Sequence, residues 1–112
     1  MTAMTGQRWS PVCQYSRLIP ERGVAALVDG TQVAVFRTHD GALYALGNID
    51  PFTGSAVLSR GIVGSRGAVP TLASPLHKQV FDLATGRCLD DTDIAVPVYQ
   101  VRLHGELVEV AL

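Results

Sequence analysis

The sequence predicts an all-β domain, a small antiparallel sandwich or partly open barrel. Three observations lead there. Asp29-Gly30, Asp40-Gly41 and His104-Gly105 each lie between apolar runs, where a glycine that accepts positive φ at little steric cost marks a hairpin. Residues 98–103 alternate at period two, setting Val98, Gln100 and Arg102 against Tyr99, Val101 and Leu103, as in a strand with one wet face. Gly47, Gly54, Gly61, Gly64 and Gly67 are too closely spaced for a regular helix in the middle of the chain.

Along the chain, residues 1–8 are polar and aperiodic and read as a flexible tail, leaving 9–112 as the domain. Trp9 opens the ordered part as a core anchor. "SRLIPERG" reads as one helical turn, with Ser16 as candidate N-cap and Pro20 and Gly23 closing it. "GVAALV" and "QVAVFRT" form the first hairpin, and His39-Asp40-Gly41 turns the chain into "ALYAL". Gly47 to Gly67 reads as loop, with a short strand or turn around Val57 to Val63. In "PTLASPLHKQVFDLATGRCL" a Ser74-Pro75-Leu76-His77 tip separates apolar runs, followed by the strand-like "QVFDL" and the turn "ATG". "VPVYQVRL" and "ELVEVAL" make the last hairpin around His104-Gly105.

At 112 residues, 47% hydrophobic and 17% charged, the chain is large enough to bury its own core and too apolar for a disordered one. A net charge of -1 with scattered basic residues excludes a phosphate-binding face, so nucleic acid is not an expected partner. The start lacks a basic segment leading into an apolar core, and no apolar run approaches the roughly 18 residues of a membrane span. A cytoplasmic protein with no membrane partner is the expectation. Cys13 and Cys88, far apart in sequence, read as separate small buried apolar residues rather than a bridge.

The familiar reactive constellations are missing. There is no C-x-x-C, H-x-x-x-H or H-E-x-x-H for zinc, no G-x-S-x-G elbow, and "GSRG" lacks the Lys and helix of a phosphate loop. His39 and His104 fall in turns, where a solvated ring is expected. His77, on a tip between two strands, is the one histidine that stands out.

The order hairpin, loop, second loop with x-Pro-x-His, then "FDLATG" resembles the Rieske domain, an antiparallel β-sandwich with two protruding loops and at most short helical turns. In that family one loop supplies Cys-x-His and the other Cys-x-x-His to a [2Fe-2S] cluster. The resemblance maps those four positions to Asn48, Asp50, Ser74 and His77. An amide and a hydroxyl thus replace the thiolates, and neither supplies the soft anionic sulfur of such clusters. Asp50 and His77 would leave two protein ligands for the second iron.

A narrower likeness accounts for the loss. Asp50-Pro51-Phe52, Ser59-Arg60-Gly61-Ile62, Ser74-Pro75-Leu76-His77-Lys78-Gln79 and Thr85-Gly86-Arg87-Cys88-Leu89 resemble the small subunit of assimilatory NAD(P)H-dependent nitrite reductase, over roughly residues 8–112. The resemblance implies a non-catalytic accessory subunit that holds no cofactor. Its partner large subunit would carry FAD, sirohaem and an iron-sulfur cluster and reduce nitrite to ammonium during nitrate assimilation.

Two expectations attach to the former ligand positions. In the first, short polar side chains clip the loops together: Asn48 and Ser74 bond across the gap or to loop backbone, and Asp50 accepts from His77; the alternative is that all four face solvent. In the second, Phe52 and Leu76 form an apolar partner-binding patch rimmed by Arg60 and Lys78, unless Phe52 folds back to cap the core. Two competing functions are a stand-alone electron-transfer or metal-binding protein using Asp50 and His77 with borrowed ligands, and a regulatory module of another oxidoreductase.

Overall fold

The structure, a computed structural model, describes residues 8–76 and 78–112. Expectations for residues 1–7, most of the tail, and for His77 lie outside the described residues. Among the described residues, nine strands run β1 (Trp9–Gln14), β2 (Arg22–Val28), β3 (Thr31–Arg37), β4 (Leu43–Gly47), β5 (Ile62–Arg66), β6 (Val69–Ala73), β7 (Val80–Asp82), β8 (Val98–His104) and β9 (Leu107–Ala111). Every pairing is antiparallel, giving a six-stranded sheet in the order β1-β9-β8-β4-β3-β2 and a three-stranded sheet β5-β6-β7.

The turn chemistry explains the hairpins. Asp29 and Gly30 both have positive φ, 49° and 80°, the backbone that matches strand twist in a two-residue loop between Val28 and Thr31. Gly67 at φ 64° opens the two-residue turn joining β5 to β6.

Strand β3 is buried on both faces and builds two cores. Ala34 and Phe36 point between the sheets, where they join Leu46, Leu58, Leu72 and Phe81. Val33 and Val35 point the other way, into a cluster with Leu18, Val28, Val108 and Val110. The second cluster is enclosed because the large sheet curls until β1 approaches β2, in the manner of a partly open barrel. Each fully buried Val, Leu or Phe among these contributes about 1.5–3 kcal/mol.

Several sequence expectations need correction. Trp9 is only half-buried at the sheet edge, its ring under the Arg102 guanidinium 4.1 Å from the centroid, and so is no core anchor. The helical turn is a 3-10 turn at Tyr15–Arg17 with Ser16 inside it; Gln14 occupies the cap without a side-chain bond, and Gly23 lies in β2. Residues 9–14 and 62–66 are strands the sequence did not place, whereas the short strand or turn expected around Val57 to Val63 is present as a 3-10 turn at Leu58–Arg60 and the start of β5. Cys88 is buried but Cys13 is half-buried, and both thiols are free. Leu103 breaks the alternation of β8 by remaining 49% exposed. His104 ends β8 instead of sitting in the turn, and its exposed Nδ1 lies 3.3 Å from Glu109 Oε1.

Candidate functional site

Two loops project from neighbouring strand ends. The first leaves β4 at Asn48 and returns through the Leu58–Arg60 turn; the second joins β6 to β7 through residues 74–79. Asn48, Ile49 and Asp50 continue the alternation of β4, so Asn48 and Asp50 point inward at 1% and 0% exposure while Ile49 points out. Ser74 is likewise buried at the end of β6.

Burying these polar groups is costly unless each finds a partner, and the partners define the site. Asn48 Oδ1 accepts the Ser59 backbone N–H at 2.7 Å, anchoring the 3-10 turn; its Nδ2 lies 3.5 Å from Gln32 Oε1. Asp50 uses both carboxyl oxygens. Oδ1 accepts the Phe52 N–H at 2.8 Å, and Oδ2 accepts the Ser74 hydroxyl at 2.5 Å. Ser74 Oγ in turn accepts the Leu76 N–H at 3.3 Å. The Asp50 main chain closes its own loop, its N–H donating to Ser55 O at 2.8 Å and its carbonyl accepting from Gly54 at 2.7 Å.

One continuous set of bonds therefore runs from the Phe52 backbone through Asp50 and Ser74 to the Leu76 backbone. It joins loops 24 residues apart in sequence and orients the residue at each apolar tip. Phe52 folds back in part: its ring packs 6.3 Å from that of buried Phe81 while the residue keeps 38% exposure. Leu76 is 45% exposed and Ile49 41%.

Of the two expected arrangements, the structure has the bonds to loop backbone: Asn48 accepts from Ser59 and Ser74 from Leu76. Across the gap Ser74 bonds Asp50 and Asn48 reaches Gln32, so Asn48 and Ser74 do not clip each other. Burial of Asn48, Asp50 and Ser74 rules out all four positions facing solvent. The partner expected for Asp50, His77, lies outside the described residues. Lys78 is exposed on the second loop with φ 62°, and Arg60 is exposed beside Arg22 and Ile62 in a cleft near the start of β2. Sequence reasoning missed Ile49, Gln32 and the Ser59 N–H. Ile49 was recoverable from the alternation with Asn48 and Asp50.

This donor set does not fit an iron-sulfur cluster. The three described positions offer an amide, a carboxyl and a hydroxyl already engaged with protein partners, whereas cluster irons take thiolate sulfur. The two thiols sit elsewhere, Cys13 in β1 and Cys88 in the inter-sheet core. No group of three or more His, Cys, Asp or Glu converges among the described residues, and no described helix is long and apolar enough to cross a membrane.

Two sheets, two projecting loops and a polar clip between them define the class: a Rieske-like domain, and residues 8–111 match the family model described as a Rieske-like [2Fe-2S] domain. Within that class, the chain is 40% identical over 103 residues to the nitrite reductase (NADH) small subunit of Escherichia coli K12, covering 91% of this chain and 95% of that one. A crystal structure assigned as an NADH-dependent nitrite reductase small subunit from Mycobacterium tuberculosis superposes with TM-score 0.92 at 51% identity, over 95% and 96% of the two chains. The chain also matches the Klebsiella oxytoca nitrite reductase [NAD(P)H] large subunit at 34% identity, covering 92% of this chain but 11% of that one. The chain belongs to the nitrite reductase small-subunit family.

Proposed function

We propose that this chain is a non-catalytic accessory subunit of an NAD(P)H-dependent nitrite reductase in the cytoplasm, docking on a large subunit that reduces nitrite to ammonium in nitrate assimilation. The observation that carries this reading is the buried Asp50–Ser74 hydrogen bond, which ties the two tips where a Rieske cluster would otherwise tie them. The chain then needs no cluster of its own, and FAD, sirohaem and the iron-sulfur group belong to the partner. What the clip maintains is a shape: Phe52, Leu76 and Ile49 exposed on adjoining loops. Lys78 flanks this patch on the second loop and Arg60 lies at the far end of the first. Half-exposed aromatic and aliphatic side chains on a rigid frame suit a protein partner.

The Klebsiella relative supports the choice of partner. There a segment similar to nearly all of this chain occupies 11% of a polypeptide named as the large subunit. Covalent attachment gives such a module a high effective concentration beside its neighbour; a separate chain must reach the same place through an interface of its own.

The deciding experiment measures nitrite-dependent NAD(P)H oxidation by the purified large subunit with and without this chain, alongside a binding measurement. Complex formation with altered turnover or assembly supports the reading. Stoichiometric iron and a visible charge-transfer band in the anaerobically purified chain alone would overturn it.

A further inference from the structure

Among the described residues, strand β5 is an edge strand whose outer backbone is unpaired. In its hairpin with β6, Arg66 pairs with Val69 across the two-residue turn, so hydrogen-bonded pairs recur at Gly64–Thr71 and Ile62–Ala73. Ser65 and Val63 fall at the intervening positions, opposite Pro70 and Leu72. Pro70, which has no N–H to give, fits such a position, and its carbonyl faces the other way to accept from Leu83 at 3.0 Å. The N–H and C=O of Val63 and Ser65 therefore point outward, about 6.8 Å apart as alternate residues of a strand. Neither residue has an outward backbone partner among the described residues.

The other described edges are protected. β1 carries Pro11 and a bulge before Cys13. β7 is three residues long and bonded along its outer side by residues 87–89, with Arg87 O accepting from Asp82 and Leu89 N–H donating to Val80. β2 is covered by the Leu58–Arg60 turn. β5 has no proline, lysine or bulge to discourage pairing, and Ile62 at its start is 68% exposed.

Two clefts, about 350 and 510 Å³, follow this edge and share Glu21 in their walls. Their charges differ. Arg22 and Arg60 flank the cleft at the β5 start, whereas Asp40 flanks the one beside Ser65, with Glu21 between. Arg66 is drawn aside toward Asp90 at 3.8 Å.

We propose that the β5 edge accepts an extended segment of the large subunit as an added antiparallel strand, a proposal that rests on the accessory-subunit reading. Main-chain bonds to Val63 and Ser65 would supply the pairing, and the bipolar groove its direction. In antiparallel register the segment's N-terminal end lies beside Asp40 and its C-terminal end beside Arg60. It therefore carries a basic residue early and an acidic one about four residues later, with an apolar side chain near Ile62.

The test mixes the full chain with the purified large subunit and follows amide hydrogen exchange. The expected result is at least tenfold slower exchange at Val63 and Ser65 in the complex. A Ser65→Pro variant removes one outward N–H without touching a bond to β6, and should weaken binding at least tenfold while its melting temperature stays near wild type. A complex that forms with unchanged exchange at β5 overturns this proposal and leaves the accessory reading standing. Failure to form any complex overturns both. Protection of the same amides in the chain alone, together with a dimer by sedimentation, would assign the edge to a second copy and also overturn the proposal. Should Ser65→Pro not fold, wild-type exchange decides.

Discussion

Ser74 Oγ donates to Asp50 Oδ2 at 2.5 Å, inside the protein, between loops that share no strand pairing among the described residues. Under the proposed reading, this bond would hold the two tips together in place of a metal centre. Its strength should be measurable.

Asp50→Ala leaves the Ser74 hydroxyl and the Phe52 N–H without acceptors. A loss of about 1–3 kcal/mol is expected for each buried group stranded this way. In a double-mutant cycle with Ser74→Ala, urea denaturation should give a coupling of about 0.5 kcal/mol or more. Strict additivity would mean that the two side chains do not cooperate.

Asn48→Ala should destabilise by a comparable route, about 1–3 kcal/mol, because the Ser59 N–H loses its acceptor. The damage should centre on the Leu58–Arg60 turn. Hydrogen exchange would then accelerate there before the hairpin β2–β3 is affected.

Gly86 and Gly30 both have positive φ, 77° and 80°, but their surroundings differ. A Cβ on Gly86 would sit 2.2 Å from the Val96 carbonyl oxygen, while one on Gly30 would meet nothing within 4 Å. Gly30→Ala should cost about 1–2 kcal/mol from the backbone alone. Gly86→Ala adds overpacking of about 1–3 kcal/mol and should lower the thermal midpoint distinctly further.

The Arg102 guanidinium donates to Glu109 Oε1 at 2.8 Å and, with the nearby His104, holds the Glu109 carboxyl below its usual range despite some desolvation. A carboxyl with a depressed folded-state pKa stabilises above its unfolded-state value of about 4.3 and loses that contribution as pH falls through the folded value. The part of the stability difference between wild type and Glu109→Gln that rests on Arg102 should persist through neutral pH. Below about pH 4 it should shrink. A difference that grows in acid would contradict the assignment.

Leu76→Ser should weaken association with the large subunit by tenfold or more, about 1.4 kcal/mol, if the clipped tips form the docking patch. Leu76 is the cleaner probe, because truncating Phe52 also removes its packing on Phe81. Unchanged affinity by titration calorimetry would move the interface away from the tips.

Elements closed by local chemistry were legible in advance. Asp29-Gly30, Asp40-Gly41 and Gly105 each dictate a turn within a few residues, so β2, β3, β4, β8 and β9 could be placed from the sequence. β1 and β5 could not. β1 pairs with β9 nearly a hundred residues away, and its Pro11 and bulge blur the alternation. β5 contains Gly64 and Ser65, poor strand formers that hold extended geometry because β6 pairs with them.

What the sequence alone determined is chemical identity: at Asn48, Asp50 and Ser74 there is no sulfur, and no fold can supply it. The tertiary structure alone decided the partners. Asn48 and Asp50 lie two residues apart and face the same way, yet one reaches the Ser59 backbone and the other the Ser74 hydroxyl. That choice depends on where β6 delivers its last residue beside β4. Hydrogen bonds act over about 3 Å, while the distances that select among donors 11 and 24 residues away are set by how two sheets pack.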